Sequence, residues 1–102
     1  MIDINNNTIL DESRLVKTAY TNWGTQVSLF STNGNLFLVM INWSKTFQVW
    51  FASTNDVDVL DINTNKTSGG VGQTSLSGYT FIRENSKLTV KTPSNASIKI
   101  IS

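Results

Sequence analysis

The chain contains no cysteine, no histidine and only one proline in 102 residues. Without cysteine, no disulfide holds the fold, which argues against a disulfide-stabilised secreted module. Without cysteine and histidine, Ser-His-Asp and Cys-His nucleophilic arrangements are excluded. Charge is also scarce. Eight basic and seven acidic residues give a net charge of +1, with only 15% of residues charged. Such a balance offers no steering field toward nucleic acid or an anionic membrane surface. Long apolar runs are missing as well. The longest, Leu36 to Ile41, has six residues, far short of a membrane span. The opening Met1-Ile2-Asp3-Ile4-Asn5 has no basic n-region and no continuous apolar core, so it does not read as a secretory signal. The expectation is a protein made in the cytoplasm and exported, if at all, within an assembly.

In place of charge the chain carries 37 Asn, Ser and Thr residues. Uncharged amides and hydroxyls suit strands, turns and wet contacts. The length predicts one domain, residues 1–102, with a core large enough to need no staple. Residues 1–11 read as a short N-terminal arm in which Ile2 and Ile4 alternate with Asp3.

The apolar pattern is that of strands throughout, with no helical period longer than a turn. The organising stretch is Gln26 to Phe51, read as three consecutive antiparallel strands. Asn33-Gly34 marks a type I′ hairpin. Leu36 to Trp43 follows as a central strand apolar on both faces, and Thr46 to Ala52 places Phe47, Val49 and Phe51 opposite Gln48 and Trp50. Before it, Leu15 to Tyr20 reads as a weak strand broken at Thr21–Gly24. After it, Val57 to Ile62 is a strand, and residues 63–75, with three glycines, read as a long loop. Tyr79 to Arg83, Lys87 to Thr92 and Ala96 to Ile101 complete the set, the last two separated by a turn at Pro93. Seven to nine short strands with regular turns predict a single antiparallel β-sandwich or small barrel.

Three constellations bear on function. Asp56, Asp58 and Asp61 form the one acidic cluster, and hard oxygen ligands at this density could hold calcium. The competing reading is a solvated edge strand whose charges block edge-to-edge pairing. The spacing matches no EF-hand, and no other cofactor is implied. Glu84 beside Arg83 reads as a solvated turn charge, and no carboxylate pair is framed for acid–base catalysis, so no enzymatic activity is expected. The amphipathic aromatics Trp23, Trp43, Trp50, Tyr20 and Tyr79 are the third group. Flat rings beside amides make sugar-binding platforms, because a pyranose offers C–H groups on its faces and hydroxyls at its rim. By phase and context Trp50 with Gln48, Trp23 beside Gly24, and Tyr79 are the candidate glycan contacts, although large aromatics more commonly fill a core.

A free-standing β-domain of this style, with its Asn5-Asn6-Asn7 arm, its Thr32-Asn33-Gly34-Asn35 hairpin and its short strands to Ser102, resembles the small accessory proteins of tailed bacteriophage virions. These include capsid decoration proteins and fibre heads. The resemblance implies a virion location, protein partners among capsid or other virion subunits, and self-association as an option. It implies docking through the termini and a sheet edge, with Ile2, Ile4, Ile98 and Ile100 as the strands to be added to a neighbour. A fibre-head type implies instead a carbohydrate- or receptor-binding module.

Overall fold

A computed structural model describes residues 17–31 and 35–102. These form eight strands and no helix. They are β1 (Thr18–Phe30), β2 (Leu36–Ile41), β3 (Lys45–Trp50), β4 (Asp56–Asp61), β5 (Lys66–Val71), β6 (Gln73–Leu76), β7 (Tyr79–Glu84) and β8 (Lys87–Ile101). All pair antiparallel in one sheet, ordered β5-β4-β3-β2-β8-β7-β6, with β1 joined to β8 off this path. The sheet curls until it is nearly closed and barrel-like. The expected all-β architecture and strand number are therefore present.

Strand alternation builds the core. Phe37, Val39 and Ile41 of β2, Phe47 and Val49 of β3, and Val57 and Val59 of β4 all point inward. Phe81 of β7 and Leu88, Val90, Ile98 and Ile100 of β8 complete it. Phe47 makes edge-type ring contacts with Phe81 and Tyr79 at 5.2 and 5.4 Å.

The organising stretch differs from its sequence reading in two ways. First, β1 and β2 are not partners. β8 lies between them, pairing with β1 along its length and with β2 at Ile98–Ile101. Fifteen residues of β8 serve three neighbours because β7 takes the other half of the edge that β2 leaves free. Second, β2 is buried on one face only. Leu36 is 50% exposed and Leu38 is 37% exposed. An unbroken apolar run reads as two buried faces, yet here one face is the outside of the sheet. The Asn33-Gly34 turn and the arm with Ile2 and Ile4 lie outside the described residues.

Residues 63–75 are not a loop. They supply the β4–β5 turn, β5, and β6 beyond a corner at Gly72, whose φ is +75°. Gly70 brings its backbone against that corner. A Cβ there would stand 2.4 Å from the Gln73 carbonyl oxygen. Glycine enrichment thus marks a sharply bent strand pair, not an absence of structure. Arg83 fastens the β3–β4 loop to β7. Its guanidinium donates to the carbonyls of Ser53, Asp56 and Asn85 and lies 4.4 Å from the Phe51 ring centroid.

Candidate functional site

The site is built where β1, β2 and β8 converge. β2 ends in a tight turn, Ile41 to Ser44, closed by a Ser44 N–H to Ile41 carbonyl bond. Its two central residues, Asn42 and Trp43, have φ of +54° and +61°. That pair of positive φ values is what a type I′ turn requires, and asparagine tolerates it. Tryptophan does not. A bulky side chain at positive φ is an outlier that stores strain of about 1–3 kcal/mol.

A second tryptophan shares this condition. In β1 the register to β8 slips between Thr21 and Gln26. Within the bulge Trp23 takes φ +62°. Gly24 follows because its missing Cβ makes room for the Thr21 side chain, whose Oγ1 would be 2.3 Å from one. Bulges re-aim side chains, and this one leaves Trp23 65% exposed, the same as Trp43.

Tyr20 joins them, at 5.7 Å between its ring centroid and that of Trp43. The Lys99 ammonium is 5.6 Å from the Trp43 ring. Hydrogen bonds fix the floor. The Ser97 hydroxyl donates to the Tyr20 hydroxyl at 2.9 Å, and the Ser97 N–H donates to Asn42 Oδ1 at 3.0 Å. A phenol that accepts from Ser97 retains its own proton to donate, and Asn42 retains its amide donors. The result is an open cleft of about 230 Å³ lined by Tyr20, Asn22, Trp23, Asn42, Trp43 and Ser97. It has flat apolar walls and a rim of amides and hydroxyls, and it presents no nucleophile–base pair. It can stack a ring and hydrogen-bond its edge.

A second groove, of about 400 Å³, lies beside Trp50 and is lined also by Asp58, Val59, Thr67, Ser68 and Gly69. Trp50 and Gln48 do share the outer face, opposite Phe47 and Val49, and both are half-buried. Asp58 leans into the space that Gly69 leaves, since a Cβ on Gly69 would be 2.3 Å from Asp58 Oδ1.

The other sequence candidates are dispersed. Tyr79 is half-buried with its ring edge against Phe47, so it extends the core and does not meet Trp50 or Trp23. Ile98 and Ile100 are fully buried, and their strand is paired on both edges by β1 and β2. They cannot serve as a docking strand. Among the described residues β1, β5 and β6 each pair with a single strand, and β1 is the longest of the three.

The acidic cluster also divides. Asp56 and Asp58 point outward, whereas Asp61 faces the core and is fully buried. Its Oδ1 accepts the N–H groups of Asn63 and Thr64, and its Oδ2 accepts the Ser77 hydroxyl at 2.7 Å. Burial alone would raise its pKa, but the hydrogen bonds from Ser77, Thr64 and Asn63 outweigh it and hold the carboxyl below the usual range. These three carboxylates do not converge on an ion. Among the described residues no group of three or more acidic side chains does.

Sequence reasoning counted Tyr20, Trp23 and Trp43 among the amphipathic aromatics but selected Trp23 alone of the three, and it missed Asn42. A readable signal existed: Asn42-Trp43 between two apolar strands is itself a turn dipeptide, with asparagine at a position that favours positive φ. The pairing of Tyr20 with β8 had no local signal. No family model, curated protein or solved structure matches the chain.

Proposed function

We propose that the chain is a non-enzymatic binding module that takes a carbohydrate on the Tyr20–Trp23–Trp43 cleft. One observation carries this reading. Two tryptophans stand largely exposed at strained positive-φ positions around one cleft. Strain and exposed aromatic surface are both unfavourable for folding, so retaining them together points to use. Stacking rings with amide and hydroxyl donors at their rim match a pyranose. The test is a glycan array probed with the chain and with Trp43→Gly, which keeps the turn. Binding of a defined glycan set, lost in the variant, supports the reading. A blank array overturns it.

A second reading is favoured by a different feature. β1 is a 13-residue strand with no charge and no proline, and its second edge has no partner strand among the described residues. Natural proteins blunt such edges with charges, prolines, short length or bulges, and of these β1 carries only the bulge at Trp23. An edge left open suits strand addition in an assembly, the role of a virion accessory protein. Gln26→Lys would then abolish incorporation into particles, while incorporation at the level of the unmodified chain would rule that role out for this edge.

A further inference from the structure

Both clefts open on one face of the sheet, and the strip between them has a distinct chemistry. Register places Tyr20, Lys99 and Met40 in one cross-strand row, Leu38 and Gln48 in the next, and Leu36 and Trp50 in a third. Strand alternation puts all of these on the outer surface, opposite the core residues Phe37, Val39 and Val49. The path from the Tyr20–Trp43 cleft to the Trp50 groove crosses three strand spacings, about 14 Å, and four residues along β2, about 13 Å. One sugar ring cannot reach both. The strip is mixed: Leu38 is 37% exposed and Met40 is half-buried, beside the polar side chains of Gln48, Thr46 and Lys99.

Building on the carbohydrate reading of the first cleft, we infer that the ligand is an extended β-linked chain of N-acetylated amino sugars, running from the Trp43 cleft across Leu38 and Met40 to Trp50. Three features select this class. An extended, ribbon-like chain lies along an open sheet face, which a compact branched glycan does not. The exposed Leu38 and the half-buried Met40 would desolvate the hydroxyls of a plain hexose chain with no hydrogen bond in return, whereas acetyl methyl groups bury favourably there. Gln48 in the middle of the strip supplies an amide partner for an acetamido group. At the far end Trp50 stacks a ring while Asp58 and Thr67, on the same outer face, meet its hydroxyls.

The experiment is calorimetric titration of the intact chain with N-acetylglucosamine β-1,4 oligomers of one to six units, beside the matching glucose series. Affinity for the N-acetylated series should rise by about a hundredfold from the dimer to the hexamer as the second groove is engaged through a connected ligand. The glucose series should rise much less. Trp50→Ala should flatten the length dependence. Leu38→Asp, at a surface position that the core does not need, should flatten it too, which guards against a Trp50 variant that fails to fold. Length-independent binding overturns the extended ligand and leaves the Trp43 cleft standing, and so does a glucose series that rises equally. Absence of binding by every oligomer, joined to a blank glycan array, removes both.

Discussion

Trp43 occupies a backbone position that its own side chain opposes. Its φ of +61° belongs to glycine or asparagine. The contacts that offset this are the Tyr20 ring and the Lys99 ammonium. An aromatic pair contributes about 0.5–1.5 kcal/mol and an exposed cation–π contact about 0.5–1 kcal/mol. The strain is of similar size. Trp43→Gly should therefore leave the melting temperature unchanged or raised while abolishing glycan binding. A fall equivalent to more than about 2 kcal/mol would mean that Trp43 is there for the fold.

Asp61 shows the opposite balance, a charged group spent entirely on structure. It ties the β4–β5 turn, through Asn63 and Thr64, to the β6–β7 turn, through Ser77. Asn63 continues the chain by accepting the Thr46 N–H and donating to the Ser44 carbonyl. Because the folded-state pKa of Asp61 is lowered, the stability it contributes is present above its unfolded pKa. That contribution is lost as pH falls through the folded value. Unfolding midpoints in denaturant should drop on acidification below the ordinary carboxylate range, and Asp61→Asn should show a flatter acid limb. Asp61→Ala at neutral pH should cost about 1–3 kcal/mol, the penalty for leaving buried donors unpaired.

At the scale of elements, the two adjacent glycines of β5 test whether the corner is packed as described. A Cβ at Gly69 meets the end of the Asp58 side chain, which can swing away. A Cβ at Gly70 meets the Gln73 backbone, which cannot move without opening the β5–β6 corner. Gly70→Ala should destabilise by about 1–3 kcal/mol, in the range of overpacked sites, and Gly69→Ala by less than about 1 kcal/mol. Equal losses in thermal melts would contradict the corner geometry.

The same elements show what could be read from the chain. The inward faces of β3, β4 and the two halves of β8 were legible because Phe47, Val49, Val57, Val59, Leu88, Val90, Ile98 and Ile100 alternate with polar neighbours. The glycine-rich β5 and β6 were not, since strands with small side chains carry little hydrophobic period. The exposed face of β2 was not either, because Leu36, Leu38 and Met40 are apolar on a face the core does not use. That mismatch between pattern and burial is itself the mark of the proposed binding strip. The opposite error befell Ile98 and Ile100. Alternation told that they point inward, but only the long-range pairing of β8 with both β1 and β2 told that the edges of their strand are filled.

For the molecule as a whole, the proposed function rests on an asymmetry. The interior of the curled sheet is closed by aliphatic and phenylalanine side chains, and the outer face of β1, β8, β2 and β3 carries tyrosine and tryptophan. With few charges to organise a ligand, recognition must come from stacking and amide hydrogen bonds. Binding should accordingly depend little on salt, since Tyr20, Asn22, Trp23, Asn42, Trp43 and Ser97, which line the first cleft, carry no charge. The three indole N–H signals of Trp23, Trp43 and Trp50 in a ¹H–¹⁵N spectrum report directly on this face. On titration with a glycan that the chain captures on an array, the Trp23 and Trp43 signals should shift together with one affinity, and the Trp23 shift should vanish in Trp43→Gly. A bound glycan that leaves both signals in place would contradict the proposed site.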